Sequence, residues 1–242
     1  MLKNIFKVIS FFIIGMVGGI FSTQILWPYF VERPLFLKYN LKGNPIYITE
    51  RKEVHIQENK ALQEAIEKVK EAVVEVRSIK LKGNKIVSES KGGGFIITAD
   101  GLILTFSEII LPDFSKNLIL TDEGLFEGEL LKKDKNFSLL KIKKENLKTI
   151  PFSSFQELKL GERVFYFGRI KKENKILNLA NEGIIRYFDK EKILTNMIES
   201  EALEGLPLFD IEGKLIGQIK IDKKNNEVSA FPVNKIKEFL GF

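Results

Sequence analysis

The chain predicts an all-β domain of two packed barrels, preceded by an apolar helix that crosses a membrane. Three observations carry that prediction. Residues 8–30 are apolar apart from Ser10, Ser22, Thr23 and Gln24, and no charge interrupts them. From Val74 onward apolar residues recur with the two-residue period of strands. Turn residues then return about every 8 to 12 positions, the spacing of barrels and sandwiches.

The elements follow in chain order. Residues 1–7 form a short tail in which Lys3 and Lys7 precede the apolar run, so the tail stays cytoplasmic and the rest is exported. Residues 8–30 match the roughly 20 residues that a spanning helix needs. Trp27 and Tyr29 stand where an interfacial aromatic belt lies. An uncleaved signal anchor is the expectation; a cleaved signal peptide, ending near the small residues Gly18 to Ser22, is the alternative. Gly15 and Gly19 have the spacing of a helix-dimer face, which makes a homo-oligomer a candidate, although glycine is common in membrane helices anyway.

Residues 31–57 read as an extended extracytoplasmic stalk, with three prolines between Pro28 and Pro45 and a short strand within 46–56. Residues 58–74 predict an amphipathic helix. Leu62, Ala65, Ile66, Val69, Ala72 and Val73 share one face, Asn59 is its N-cap, and the face packs on the following domain.

Residues 75–149 predict the first barrel and residues 150–242 the second with a closing helix. The first set of strands is Glu75–Lys82, Lys85–Ser90, Gly94–Thr98, Leu102–Thr105, Leu118–Thr121, Phe126–Lys132 and Leu139–Ile142. Gly83-Asn84 and Ala99-Asp100-Gly101 supply hairpin turns. The second set starts at Phe152 and continues with Arg163–Phe167, Glu182–Arg186, Ile193–Ile198, Pro207–Phe209, Leu215–Ile221 and Val228–Phe231. Pro232 to Phe242 closes as a short helix.

Composition removes several functions. Of 242 residues 44% are hydrophobic, enough for a sizeable core, and there is no cysteine. Disulfides, thiolate metal sites and a cysteine nucleophile are therefore excluded. The net charge is +6, but lysine and glutamate interleave and no basic run reaches the length of a nucleic-acid patch, so no nucleic-acid partner is expected. Gly92-Gly93-Gly94 precedes a strand and lacks the Gly-Lys-Ser/Thr of a phosphate loop; it reads as backbone approach at a barrel edge. No cofactor or metal site is expected.

The residues 92–105, GGGFIITADGLILT, resemble the first-barrel hairpin of trypsin-like serine proteases of the HtrA/Deg type. Residues 134–142 are similar to that family's aspartate-bearing segment, 207–217 (PLFDIEGKLIG) to the stretch after its catalytic serine, and 231–240 to its closing segment and helix. The resemblance spans roughly Ala72 to Leu240 and implies a trypsin-like double β-barrel; the family's PDZ domain is expected to be missing. It also locates the triad, and there the chain departs from it. Glu108 stands for the histidine, Asn136 for the aspartate and Glu204 for the serine, with Gly205 and Leu206 next in the oxyanion loop. About five residues of that loop are expected to be deleted.

The mechanism needs a serine hydroxyl, a histidine that takes its proton and an aspartate that orients the histidine. The sole histidine, His55, lies upstream in the stalk. The expected protein is thus a degenerate, inactive homologue, anchored in a bacterial cell membrane, that binds peptide or protein partners in the remnant cleft or on the stalk. The alternative is an active serine endopeptidase or other hydrolase with a rearranged site, drawing on Ser107, Ser200 or a Glu108–Glu204 carboxylate pair.

Overall fold

The structure is a computed structural model and describes residues 2–27, 60–83, 85–112, 116–172 and 175–242. It divides into two compact units, Met1–Gln57 and Glu58–Phe242. The stalk, Asn59 and His55 lie outside the described residues.

In the first unit, helix α1 (Leu2–Phe21) runs into a π-helical turn, Ser22–Leu26. The helix starts earlier than the apolar run at residue 8, because Lys3 and Lys7 are good helix formers and nothing before them breaks the helix. The stretch Ile5–Leu26 is long and apolar enough to cross a membrane. Its large side chains are exposed along their length.

The second unit opens with helix α2, residues 60–69. It is shorter than the 58–74 expected. Ala72 sits in a turn whose amide bonds the Val69 carbonyl, and Val73 and Val74 already belong to the first strand. Val73 continues the helical spacing by coincidence. As β-branched residues both valines fit the pleated ladder, where they pair with Phe95 and Gly94. Ala65 and Val69 are buried, and they pack at the Gly213 turn of the second barrel.

Twelve strands follow. The first barrel comprises β1 (Val73–Lys82), β2 (Lys85–Ile96), β3 (Leu102–Phe106), β4 (Lys116–Leu120), β5 (Leu125–Lys133) and β6 (Phe137–Lys141). The second comprises β7 (Arg163–Lys172), β8 (Lys175–Phe188), β9 (Ile193–Ile198), β10 (Pro207–Asp210), β11 (Leu215–Ile221) and β12 (Glu227–Pro232). Around the first closed barrel the order is β1-β2-β3-β6-β5-β4; around the second it is β7-β8-β9-β12-β11-β10. The two halves therefore repeat one topology. Closure leaves neither sheet with a free edge.

Two expectations about strands are corrected. Lys85–Ser90 and Gly94–Thr98 form a single strand, β2, because β1 pairs with it continuously through Gly92, Gly93 and Gly94. Arg163–Phe167 and Glu182–Arg186 are parts of one long hairpin that also takes in most of 168–181. Most of β8 is exposed, so no apolar alternation marked its extra length.

After β12, helix α3 (Val233–Leu240) buries Val233, Ile236 and Phe239 at helical spacing. It ends at Gly241, where φ is +91° and the amide returns to the Lys237 carbonyl.

The barrels meet along a seam with two ends. At one end Arg169 of β7, buried, donates to the carbonyls of Val73 (3.5 Å) and Lys70 (3.3 Å). Beside it Glu75 of β1, also buried, accepts the Lys171 amide and the Arg77 guanidinium. Towards the other end stand Phe106, Phe137, Phe231 and Phe239, with ring centroids 5.5–6.0 Å apart. Phe231 of β12 meets Phe106 of β3 and Phe137 of β6 edge-to-face, and Phe239 of α3 meets Phe137 at a tilt, which joins the two barrels.

Candidate functional site

Three short turns carry the residues that the resemblance sets at the triad positions. Glu108 lies in the 3-10 turn Ser107–Ile109 after β3. Asn136 lies just before β6, and Glu204 follows the 3-10 turn Glu201–Leu203 that leads into β10. The first two turns are tied together. The Ser107 amide donates to the Asn136 carbonyl (2.9 Å), and the Ser107 hydroxyl donates to the Phe137 carbonyl (2.7 Å).

The structure brings Glu108 and Glu204 to one corner through β11. Lys220 Nζ reaches Glu108 Oε1 at 2.8 Å, while the amide of the next residue, Ile221, donates to Glu204 Oε1 at 3.2 Å. Burial raises the Glu204 carboxyl above the ordinary glutamate value; the Ile221 amide and the Lys220 ammonium oppose that, and the Glu108 charge adds to it. Of the carboxylate pair held as an alternative, Glu108 is bonded to Lys220 and Glu204 to the Ile221 amide. Glu108 serves as the partner of an exposed ion pair with Lys220.

Asn136 does not join them. Its side chain is exposed and lines a separate hollow beside α3, with Lys132, Lys235 and Glu238. The local reason is Asp134, whose Oδ1 accepts the amides of Asn136 and Phe137 and so shapes the turn in its place. Among the described residues no three histidine, aspartate or glutamate side chains stand together as a metal site.

The loop at Glu204 is closed by its own backbone. A serine hydrolase keeps the amide of its nucleophile residue free to receive the developing oxyanion. Here the Glu204 amide donates to the Glu201 carbonyl (3.0 Å), the Gly205 amide to the Ile219 carbonyl (2.9 Å) and the Leu206 amide to the Leu203 carbonyl (3.3 Å). The Glu204 carbonyl in turn accepts the Gly93 amide at 2.6 Å.

This contact explains Gly92 and Gly93, which line the seam where the sequence predicts backbone approach at a barrel edge; Gly94 packs inside the first barrel, where a Cβ would meet Val76 and the Leu104 carbonyl. A Cβ on Gly93 would stand 2.5 Å from the Leu206 amide nitrogen, and one on Gly92 would stand 2.8 Å from the Glu204 carbonyl oxygen. Gly205 has φ +85°, and a Cβ there would meet the Gly93 carbonyl oxygen at 2.5 Å. Leu206, 1% exposed, fills the space between Gly93 and Gly168.

The two candidate hydroxyls differ. Ser107 is buried and held by Phe137 and Ser138 (3.0 Å to the Ser138 hydroxyl). Ser200 is exposed just ahead of the 3-10 turn, and its hydroxyl caps no amide there. Sequence reasoning missed Lys220 and Gln218. Lys220 falls between the inward-facing Ile219 and Ile221, which makes it an ordinary outward residue of a strand. Gln218 is buried and donates to the Gly205 carbonyl (2.8 Å), so a polar residue among apolar neighbours was the available signal.

Comparison with known proteins agrees with this frame. A family model described as a trypsin-like peptidase domain matches residues 92–217. "Serine protease HTRA1" of Xenopus laevis is 24% identical over 196 residues, covering 74% of this chain and 42% of that protein. A "Probable periplasmic serine endoprotease DegP-like" of Ectopseudomonas mendocina is 26% identical over 149 residues, covering 56% of this chain and 30% of its own. The chain thus spans less than half the length of these relatives. Among solved structures, the serine endoprotease from Yersinia pestis superimposes with a TM-score of 0.63 at 21% identity, covering 74% of this chain and 65% of that one.

Proposed function

For a chain that belongs to the trypsin-like peptidase domain family, we propose a role without peptide cleavage: a membrane-anchored extracytoplasmic protein that binds protein partners. The observation that carries the reading is the Glu204 backbone. Its amide is engaged by Glu201 and its carbonyl by Gly93, and the side chain is a carboxylate that would repel an oxyanion. The absence of any histidine after His55 removes the usual proton acceptor as well.

The anchoring half of the proposal rests on the apolar stretch Ile5–Leu26, with Lys3 and Lys7 setting the N-terminus on the cytoplasmic side. The relatives called periplasmic are consistent with export. Leu206 packed between Gly93 and Gly168 favours a partner on the outer surface or the stalk over a peptide strand laid in the cleft.

The test uses the full chain in detergent with a serine-directed fluorophosphonate probe and labelled casein. The expected result is neither labelling nor turnover. Labelling removed by Ser200→Ala or Ser107→Ala, or casein cleavage abolished by Glu204→Ala, would assign the chain to the hydrolases instead.

A further inference from the structure

The hairpins β1–β2 and β7–β8 carry apolar side chains at ends that neither barrel core uses. At the first, Lys82 faces Lys85 across the turn, and Leu81 faces Ile86. Leu81, Ile86 and Val87 are 45%, 55% and 56% exposed. Cross-strand partners share a face of a β-ribbon. Leu81 and Ile86 therefore form one face, with Lys80, Lys82 and Lys85 on the other. No acidic residue occurs between Ile79 and Glu89. The hairpin's ion pairs, made by Arg77 and Lys91 with Glu75 and Glu89, all lie lower, towards the barrel.

The second hairpin is similar in part, although Glu173 lies between its strands in the sequence and Lys171 shares a face with Ile176. Ile176 and Leu177, 51% and 41% exposed, face Lys171 and Ile170. Both hairpins leave the domain on the same course. Arg169 is level with Val73, and two residues further on Lys171 is level with Glu75, so β7 and β1 run side by side in one direction. From Glu75, β1 continues to Lys82, whereas β7 ends at Lys172. The β1–β2 tip therefore leads.

Exposed apolar side chains ringed by lysines mark an interaction surface. Two cationic tips repel each other, which disfavours a second copy meeting them end to end. A layer that is anionic at its surface and apolar beneath suits both features: lysines near an anionic bilayer are attracted within a Debye length, and short apolar groups enter the headgroup boundary. We propose that the β1–β2 tip docks on an anionic lipid bilayer, with the β7–β8 tip held behind it. The inference rests on the membrane reading of α1 only for bringing the domain near such a surface.

The chain has no cysteine, so a single one can be labelled uniquely. Full-length Leu81→Cys and Ile176→Cys, each carrying an environment-sensitive dye, are mixed with vesicles of phosphatidylcholine alone or with phosphatidylglycerol; both contain nitroxide-labelled lipid as quencher. Leu125→Cys is the control, since β4 runs back from Lys116, opposite Ile79, to Leu120, opposite Glu75, and so turns at the far end of the barrel. Flotation reports the anchor, and quenching reports docking. The expected result is flotation with both vesicles and quenching at 81 only with phosphatidylglycerol, with much weaker quenching at 176, which lies about 20 Å further from the tip. Lys80→Ala/Lys82→Ala/Lys85→Ala should abolish the quenching at 81. Flotation without quenching overturns docking and leaves the anchor standing; no flotation overturns both readings. Equal quenching in the two vesicles, or a dye already shielded before lipid is added, as against a second copy, also overturns the proposal.

Discussion

The two ends of the barrel seam use charge in opposite ways. At Arg169 and Glu75 the charged groups are buried and each meets backbone partners of the other barrel. At the Glu108–Lys220 corner the two side chains are 58% and 41% exposed, and their 2.8 Å contact is a solvated ion pair. A trypsin-like fold has its catalytic charges at that second end. In this chain the end holds together by backbone approach, at Gly93 and Glu204 and through Leu206. The comparison teaches that the frame is held by packing and buried hydrogen bonds, and that the corner's charges are dispensable to it.

The largest expected effect comes from blocking the backbone approach. In Gly93→Val the added side chain would meet the Leu206 amide nitrogen, which cannot swing aside. Urea unfolding should show a loss of about 3 kcal/mol or more. A near-neutral result would mean that the two loops do not touch as described.

Next comes the buried end. Glu75→Ala leaves the Lys171 amide and the Arg77 guanidinium without that acceptor, at a cost of about 2 kcal/mol. The matching change at the exposed corner, Lys220→Ala, should cost under about 1 kcal/mol, shrinking further in high salt. If the order were reversed, the contrast between the two ends would collapse.

The smallest effect is in pH dependence. Burial raises Glu204 in the fold above its ordinary value of 4.5. The folded state therefore holds that proton more tightly than the unfolded chain. The contribution of Glu204 to stability is full below pH 4.5 and is lost as pH rises through the folded value. Glu204→Gln, which keeps an acceptor for the Ile221 amide, should equal the parent in acid and exceed it at neutral pH. Parallel melting curves across that range would remove the claim of burial at Glu204.

Much of the fold was legible because it depends on local signals. Asp100-Gly101 sets its hairpin, with φ of +96° at Gly101. Alternating apolar residues mark β11, whose side chains are buried almost throughout. The β7–β8 extension was hidden because strands exposed along their length show no apolar period. The end of α2 was hidden because Ala72 and Val73 satisfy a helical spacing, although Ala72 lies in a turn and Val73 pairs as a strand.

The corner was half legible. Glu108 and Glu204 could be placed because each follows a recognisable segment of the frame. The lysine between them could not, since Lys220 meets a partner 112 positions away. Nor could the fate of the Glu204 amide, which depends on the path of the 3-10 turn. At Asn136 the turn is shaped by Asp134, whose carboxylate accepts the amides of Asn136 and Phe137.

The central claim is that the corner at Glu204 is closed by its backbone. Glu108→His/Asn136→Asp/Glu204→Ser tests it most directly, assayed with the fluorophosphonate probe after circular dichroism establishes that the variant folds. The account predicts no labelling and no casein turnover, because the amide at 204 stays bonded to Glu201 and Leu206 still fills the seam. Stoichiometric labelling at position 204 with measurable turnover would contradict it.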